Sequence, residues 1–109
     1  MVTTSQIREL AEQIGRKFHP EKVILYGSYA NGVAKPDSDI DLFVIAEHTS
    51  KNWRLAAIIR QALSSIFAID LLVRTPQQVR QRLEMNDLFI KDIIQKGQVL
   101  YESHRSGMD

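Results

Sequence analysis

The stretch from Val23 to Ile45 constrains the fold of this chain more than any other. It begins with an apolar run that stops at Gly27-Ser28, and a second apolar run starts after ten intervening residues at Asp39. The second run is apolar on both faces, which is typical of a strand buried in a sheet. Folding alone does not explain acidic residues at the head of such a strand. The pattern therefore predicts a functional site there.

Asp39 and Asp41 are the first candidates for that site. Side chains alternate between the two faces of a strand, so both carboxylates share a face, with Cα atoms roughly 6.5–7 Å apart. Mg²⁺ prefers hard oxygen ligands such as paired carboxylates. Without a cation, two neighbouring carboxylates repel each other. The spacing indicates a divalent metal site, and a surface turn with two capping aspartates is the alternative.

Gly27 and Ser28 predict a corner that binds phosphate. Glycine can adopt positive φ and lets a ligand approach the backbone closely. A helical turn that begins near Ser28 would direct N–H groups toward an anion. The Ser28 hydroxyl adds one donor. A plain turn from strand to helix is the alternative.

Two other phosphate or metal motifs are excluded. The run from Gly27 to Gly32 has the glycine spacing of a P-loop, but Val33-Ala34 follows where that motif requires Lys and then Ser or Thr. The aspartates at 37, 39 and 41 resemble the start of an EF-hand. Leu42 and His48 stand where its glycine and bidentate glutamate belong.

The combination of Gly27-Ser28, ten residues and Asp39-x-Asp41 resembles the signature of the polymerase-β-like nucleotidyltransferases. Over about residues 4–101 the chain is similar to the minimal, stand-alone bacterial and archaeal members. The resemblance implies a third carboxylate on a later strand, and Asp70 fits. Many members carry arginine after Gly-Ser, and this chain has Tyr29 and Asn31 in that loop. The side chain that neutralises the phosphates is left open.

Asp70 lies within the apolar run of residues 67–73, where burying an unpaired carboxylate would be costly. The resemblance implies that it is a shared metal ligand, also placed to accept the proton of an attacking hydroxyl. An ion pair with Arg74 or Arg54 is the alternative. Tyr26 and Trp53 can stack on a base, although packing is the simpler role for Trp53.

The order of predicted elements is αβαβαβαα(β), which is typical of an α/β layered domain. The resemblance adds a small mixed sheet flanked by helices. Residues 1–101 form the predicted nucleotidyltransferase domain, and residues 102–109 form a flexible tail. The predicted elements are a helix capped by Thr3 and ending at Phe18, strand 23–26, helix 27–31, strand 39–46, helix 52–64, strand 66–73, a helix capped by Thr75, a helix capped by Asn86, and strand 98–101.

The composition of the chain limits the binding partners and the cell compartment that we expect. The 14 basic and 13 acidic residues are balanced, so no general nucleic-acid or membrane surface is expected. The chain has no cysteine, which excludes disulfides and thiolate chemistry and fits a reducing cytoplasm. No apolar run reaches the length of a membrane span. We expect a cytoplasmic protein with one domain.

The resemblance implies a specific activity. Such an enzyme transfers AMP from ATP to a hydroxyl with two Mg²⁺ ions, and the resemblance implies Asp39, Asp41 and Asp70 as the metal ligands. Minimal members are typically encoded beside a HEPN-domain toxin, act as its antitoxin, and add AMP to a toxin tyrosine. The alternatives are a vestigial module that neutralises its partner by contact, and nucleotidyl transfer to a small molecule such as an aminoglycoside.

Overall fold

The computed structural model describes residues 1–103 and places there a four-stranded sheet flanked by five helices. The order of elements agrees with the sequence prediction, and the α/β class is confirmed. Residues 104–109, most of the predicted tail, lie outside the described residues. The elements are α1 (Thr4–Phe18), β1 (Lys22–Tyr26), α2 (Ser28–Asn31), β2 (Ile40–Ile45), α3 (Asn52–Ala62), β3 (Ile69–Arg74), α4 (Pro76–Glu84), α5 (Leu88–Lys96) and β4 (Gln98–Glu102).

The sheet is mixed, as the family resemblance implied. The strand order is β3-β2-β1-β4. β1 is antiparallel to both β2 and β4, whereas β2 and β3 run parallel and are connected through α3. A parallel connection of this kind requires a crossover, here the helix α3. Since β2 is an inner strand with a neighbour on each side, its apolar residues fill both faces of the sheet.

Two hydrophobic clusters cover the two faces of the sheet. One joins buried residues of α1 and α3 to the sheet, and the other joins α4 and α5 to the opposite face. Alternation along β2 assigns Leu42 and Val44 to the first cluster and Phe43 and Ile45 to the second. Because helices cover β2 on both faces, the strand has no polar face beyond its first residues.

Reciprocal caps define the starts of two helices. The backbone N–H of Gln6 donates to Thr3 Oγ1 at 3.1 Å, and the backbone N–H of Thr3 donates to Gln6 Oε1 at 2.8 Å. Thr75 and Gln78 form the same arrangement at the start of α4, with Pro76 in its first turn. Both capping boxes confirm the sequence prediction.

The predicted cap of α5 is wrong by one residue. Asp87, not Asn86, caps this helix, and its Oδ1 accepts from the amides of Phe89 and Ile90 at 3.0 and 3.2 Å. Asn86 has φ 62°, a left-handed conformation that asparagine tolerates well. Its amide donates to Leu83 O at 3.0 Å, so it belongs to the turn that closes α4.

Other boundaries shift slightly from those predicted. β3 begins at Ile69 rather than at Ile66. Ile66 is 95% exposed, so its apolar side chain does not contribute to the core. α3 ends at Ala62, two residues before the predicted end. β4 includes Glu102, the first residue of the predicted tail. Within residues 1–103, no helix has both the length and the apolar character that crossing a membrane requires.

Candidate active site

Asp41 and Asp70 lie side by side on adjacent strands. They are direct Cα partners in the parallel pairing of β2 with β3, so their side chains point to the same face. Asp39 lies just ahead of β2, which begins at Ile40 rather than at the predicted residue 39, and its charge acts on the Asp41 carboxyl. Phe43 and Leu72, the next residues on this face, pack in the α4–α5 cluster. The structure therefore brings Asp41 and Asp70 together on one face, with Asp39 close to them at the head of β2.

Asp39 and Asp70 are exposed, whereas Asp41 is half-buried. Asp70 escapes the cost of burial because β3 is an edge strand and the cluster under α4 and α5 begins only at Leu72. None of the ion pairs found in residues 1–103 includes Asp70. The alternative ion pair with Arg74 or Arg54 is therefore not observed.

The three carboxylates influence one another electrostatically. Burial raises the pKa of the Asp41 carboxyl, and the negative charges of Asp70 and then Asp39 raise it further. Tyr26 is the Cα partner of Asp41 on β1 and therefore lies beside these carboxylates. Burial, followed by the charges of Asp41 and Asp70, raises the pKa of the Tyr26 hydroxyl to about 12. The phenol stays protonated beside a concentrated negative charge.

Gly27 closes the site on the β1 side. It has φ 76°, as its place at the corner predicted, and it precedes the first residue of α2, Ser28. A Cβ on Gly27 would overlap the Oδ2 atom of Asp41, so the glycine also makes room for this carboxylate. No side chain caps α2, and Gln98 Nε2 donates to Ala30 O at 3.1 Å, which ties this short helix to β4.

The donor set of the site suits a divalent cation. Three carboxylates supply hard oxygen ligands from two adjacent backbone segments, and their mutual repulsion is the kind that a bound cation relieves. Within residues 1–103, no three acidic or histidine side chains are already arranged around a common ligating point. The three carboxylates would therefore have to rotate before all of them could share one ion.

The family model described as polymerase beta nucleotidyltransferase matches residues 7–106. The chain belongs to this family. The four-stranded mixed sheet and the acidic residues at the head of β2 now have a common explanation. The chain is a nucleotidyltransferase, and its α/β architecture is the one expected for such enzymes.

Solved structures support the same fold for this nucleotidyltransferase. A protein from Sulfolobus solfataricus, provisionally named a nucleotidyltransferase, superposes with a TM-score of 0.60 at 17% identity, covering 88% of this chain and 77% of its own. A toxin–antitoxin crystallised with AMP-PNP gives a TM-score of 0.53 at 23% identity, covering 91% and 76%. The toxin–antitoxin MntA-HpeT gives 0.48 at 21% identity, covering 96% and 77%, and is too distant to support an argument. No curated protein sequence matches the chain significantly.

Sequence reasoning missed one contact of the nucleotidyltransferase site. The ring of Phe89 meets that of Tyr26 edge-on, with centroids 5.9 Å apart, and so joins α5 to the strand that carries the corner. An exposed phenylalanine in a helix has no sequence signal that would connect it with a residue 63 positions earlier. Only the packing of α5 across the sheet brings the two together.

Proposed function

We propose that this nucleotidyltransferase transfers AMP from ATP to a tyrosine hydroxyl of a HEPN-domain toxin and thereby acts as its antitoxin. One observation carries the catalytic part: Asp41 and Asp70 are in direct register on parallel strands, with Asp39 close enough for its charge to act on Asp41 and with Gly27 against Asp41. This arrangement concentrates negative charge at a corner open to solvent. A purely structural sheet end gains nothing from such repulsion.

In this proposal, Asp39, Asp41 and Asp70 hold Mg²⁺. Asp39 and Asp41 lie at the strand head nearest the corner, and Asp70 lies on the edge strand, beside which an acceptor can approach. Bound Mg²⁺, as one or two ions, would neutralise charge on the triphosphate and on the leaving pyrophosphate. The acidic residues contribute position and charge.

The Gly27-Ser28 corner receives the β- and γ-phosphates. The positive φ of Gly27 turns the chain sharply from β1 into α2, and Ser28 offers its hydroxyl together with a backbone N–H. Transfer then forms a bond from the acceptor oxygen to the α-phosphorus and breaks the bond from that phosphorus to the bridging oxygen. Pyrophosphate leaves, and Asp70, which is exposed on an edge strand, accepts the hydroxyl proton.

The choice of partner rests on two supports. Over about residues 4–101 the chain as a whole resembles the minimal members, which typically act on HEPN-domain toxins. A toxin–antitoxin crystallised with AMP-PNP, an ATP analogue, has the same fold over 91% of this chain. The sheet, the helices and the acidic corner use nearly all of residues 1–103, which supports an acceptor hydroxyl on another molecule.

The test is co-expression with the HEPN-domain toxin proposed as its partner, followed by intact-mass measurement of that partner. Wild-type chain should add one or more AMP-sized increments, and peptide mapping should place them on tyrosine. The chain carrying both Asp39→Asn and Asp41→Asn should add none. Transfer of label from α-labelled ATP with Mg²⁺, measured on the purified pair, checks that the enzyme is competent.

An unmodified partner in the presence of competent enzyme would contradict the proposed acceptor. If the doubly substituted chain still silenced the toxin without adding AMP, neutralisation would be by contact, and the antitoxin mechanism proposed here would be wrong. Both results are read from the same samples by mass and by toxin activity.

A further inference from the structure

A second concave site lies away from the carboxylates. A cavity of about 710 Å³ is formed by the loop after β2, the start of α3, and helix α4. Arg74, which lines it, follows Asp70 by four residues on β3, which corresponds to about 13 Å along the strand. Along the backbone, Arg74 and Asp70 therefore lie at opposite ends of β3, although the charge of the Arg74 side chain still acts on the Tyr26 hydroxyl beside the acidic corner. The volume of the cavity is within the range of small-ligand sites.

Hydrogen bonds fix one wall of this cavity. His48 Nε2 lies 2.8 Å from Asn52 Oδ1, and Asn52 Nδ2 donates to Gln78 Oε1 at 3.0 Å. The same Gln78 oxygen accepts from the Thr75 amide at 2.9 Å. This chain of contacts ties the β2–α3 connection to the first turn of α4. The cavity is therefore pre-shaped, and a ligand would not have to order its wall.

The charge that lines the cavity is positive. Lys51, Arg74 and Arg82 line it, and no acidic residue does. Arg82 approaches Asp87 at 3.8 Å, whereas Lys51 and Arg74 take part in no ion pair within residues 1–103. The chain as a whole is nearly neutral. Local convergence of cations without carboxylates is an arrangement that suits phosphate.

An exposed indole completes the lining. Trp53 is 65% exposed although the Arg54 guanidinium lies 5.7 Å from its ring centroid. Tryptophan usually buries most of its large apolar surface. An aromatic ring left open beside cations offers a stacking surface for a nucleobase, and such stacking contributes substantially to nucleotide binding.

We propose that this cavity is a second nucleotide site, separate from the catalytic corner, which binds the phosphate of a nucleoside phosphate through Lys51 and Arg74 and stacks its base on Trp53. The ligand is a free nucleotide or one nucleotide unit of a single-stranded RNA, which present the same chemistry. The site does not depend on the proposed transfer reaction.

Trp53 is the single tryptophan of the chain, so its fluorescence reports directly on this cavity. The probe is AMP, titrated into the wild-type chain in EDTA to suppress metal-dependent binding at the carboxylates. AMP should quench the fluorescence saturably, and adenosine and ribose 5-phosphate should each bind much more weakly. Lys51→Gln and Arg74→Gln should each raise the apparent Kd for AMP about tenfold. Arg80→Gln, an exposed change on α4 outside the lining, should leave it unchanged.

Parallel titrations separate the sources and the competing explanation. An oligoadenylate that binds more than tenfold tighter than AMP would identify an RNA strand as the source, and equal affinity would identify a free nucleotide. Poly-glutamate that bound as tightly as AMP would show that the site recognises negative charge alone, and would overturn the proposal. A lack of saturable quenching, or an affinity for AMP that is unchanged in Lys51→Gln, would overturn it as well. Far-ultraviolet circular dichroism checks that each variant is folded.

Discussion

Gly27 and Asp41 are in such close contact that Gly27 has no room for a side chain while the Asp41 carboxylate stays in place. A Cβ on Gly27 would overlap the Asp41 Oδ2 atom. The backbone of Gly27, at φ 76° and ψ −152°, also lies in a region that essentially only glycine occupies. The glycine of the signature therefore serves the chain turn and the position of the carboxylate at the same time.

Gly27→Ala should damage both stability and activity. Backbone strain alone costs roughly 1–3 kcal/mol in this region, and the new methyl group must displace the Asp41 carboxylate. Gly32→Ala is the matched control, since Gly32 has φ 75° but nothing lies within 4 Å of an added Cβ. It should cost only ~1 kcal/mol and keep transfer. Chemical denaturation and label transfer from α-labelled ATP measure both. Equal effects of the two substitutions would contradict the contact.

Asp39→Asn and Asp41→Asn should each lower AMP transfer by about 10²–10³-fold, the loss typical of removing one preorganised charge-stabilising group. The amide keeps the shape of the side chain but not the negative charge that would hold Mg²⁺ in the proposed mechanism. Asp37→Asn, an exposed change two residues upstream of Asp39, is the control and should keep full activity. Transfer that persists in the two site variants, measured with α-labelled ATP and Mg²⁺, would remove these residues from the mechanism.

In EDTA, Asp41→Asn should stabilise the protein at pH 7. Burial and the charges of Asp70 and Asp39 raise the pKa of Asp41 in the folded chain, so folding favours its protonated form. Stability from this group is present below the unfolded pKa and is lost as pH rises through the folded pKa. The variant should gain no more than ~1 kcal/mol, because the carboxylate is partly exposed and screened.

That gain should shrink as the pH falls through the raised pKa of Asp41, because the wild-type carboxyl then becomes protonated as well. Thermal unfolding of both chains between pH 4 and pH 8 provides the comparison, and Asp37→Asn should follow the wild type throughout. A gain that grew toward acidic pH would have the wrong sign for a raised pKa.

Asp87→Ala should cost ~1 kcal/mol of stability, the usual loss when a capping side chain is removed. Asp87 Oδ1 accepts from two amides of the first turn of α5. Asn86→Gly is the companion change, because Asn86 has φ 62°, where glycine is not strained. It should be close to neutral. Urea denaturation measures the free energy of unfolding of both variants. A larger loss of stability in Asn86→Gly than in Asp87→Ala would identify Asn86 as the cap.

Much of the fold could be predicted because the local signals are strong. Thr3 with Gln6 and Thr75 with Gln78 form capping boxes that involve residues only three apart. The apolar run of β2 requires burial on both faces, which implies an inner strand. Local signals failed where two polar residues compete, as at Asn86 and Asp87. They also failed at Ile66, where apolar character did not lead to burial.

The sequence by itself determined the order of the helices and strands, the inner position of β2, and the pairing of a Gly-Ser corner with acidic residues two apart. These depend on periodicity and spacing within short stretches, which the backbone converts directly into faces and turns. Only the tertiary structure decided that Asp70 is the partner of Asp41, that Gly27 contacts that carboxylate, and that Lys51, Trp53 and Arg74 line one cavity. Strand register and helix packing set those distances, and both depend on contacts between residues far apart in the chain.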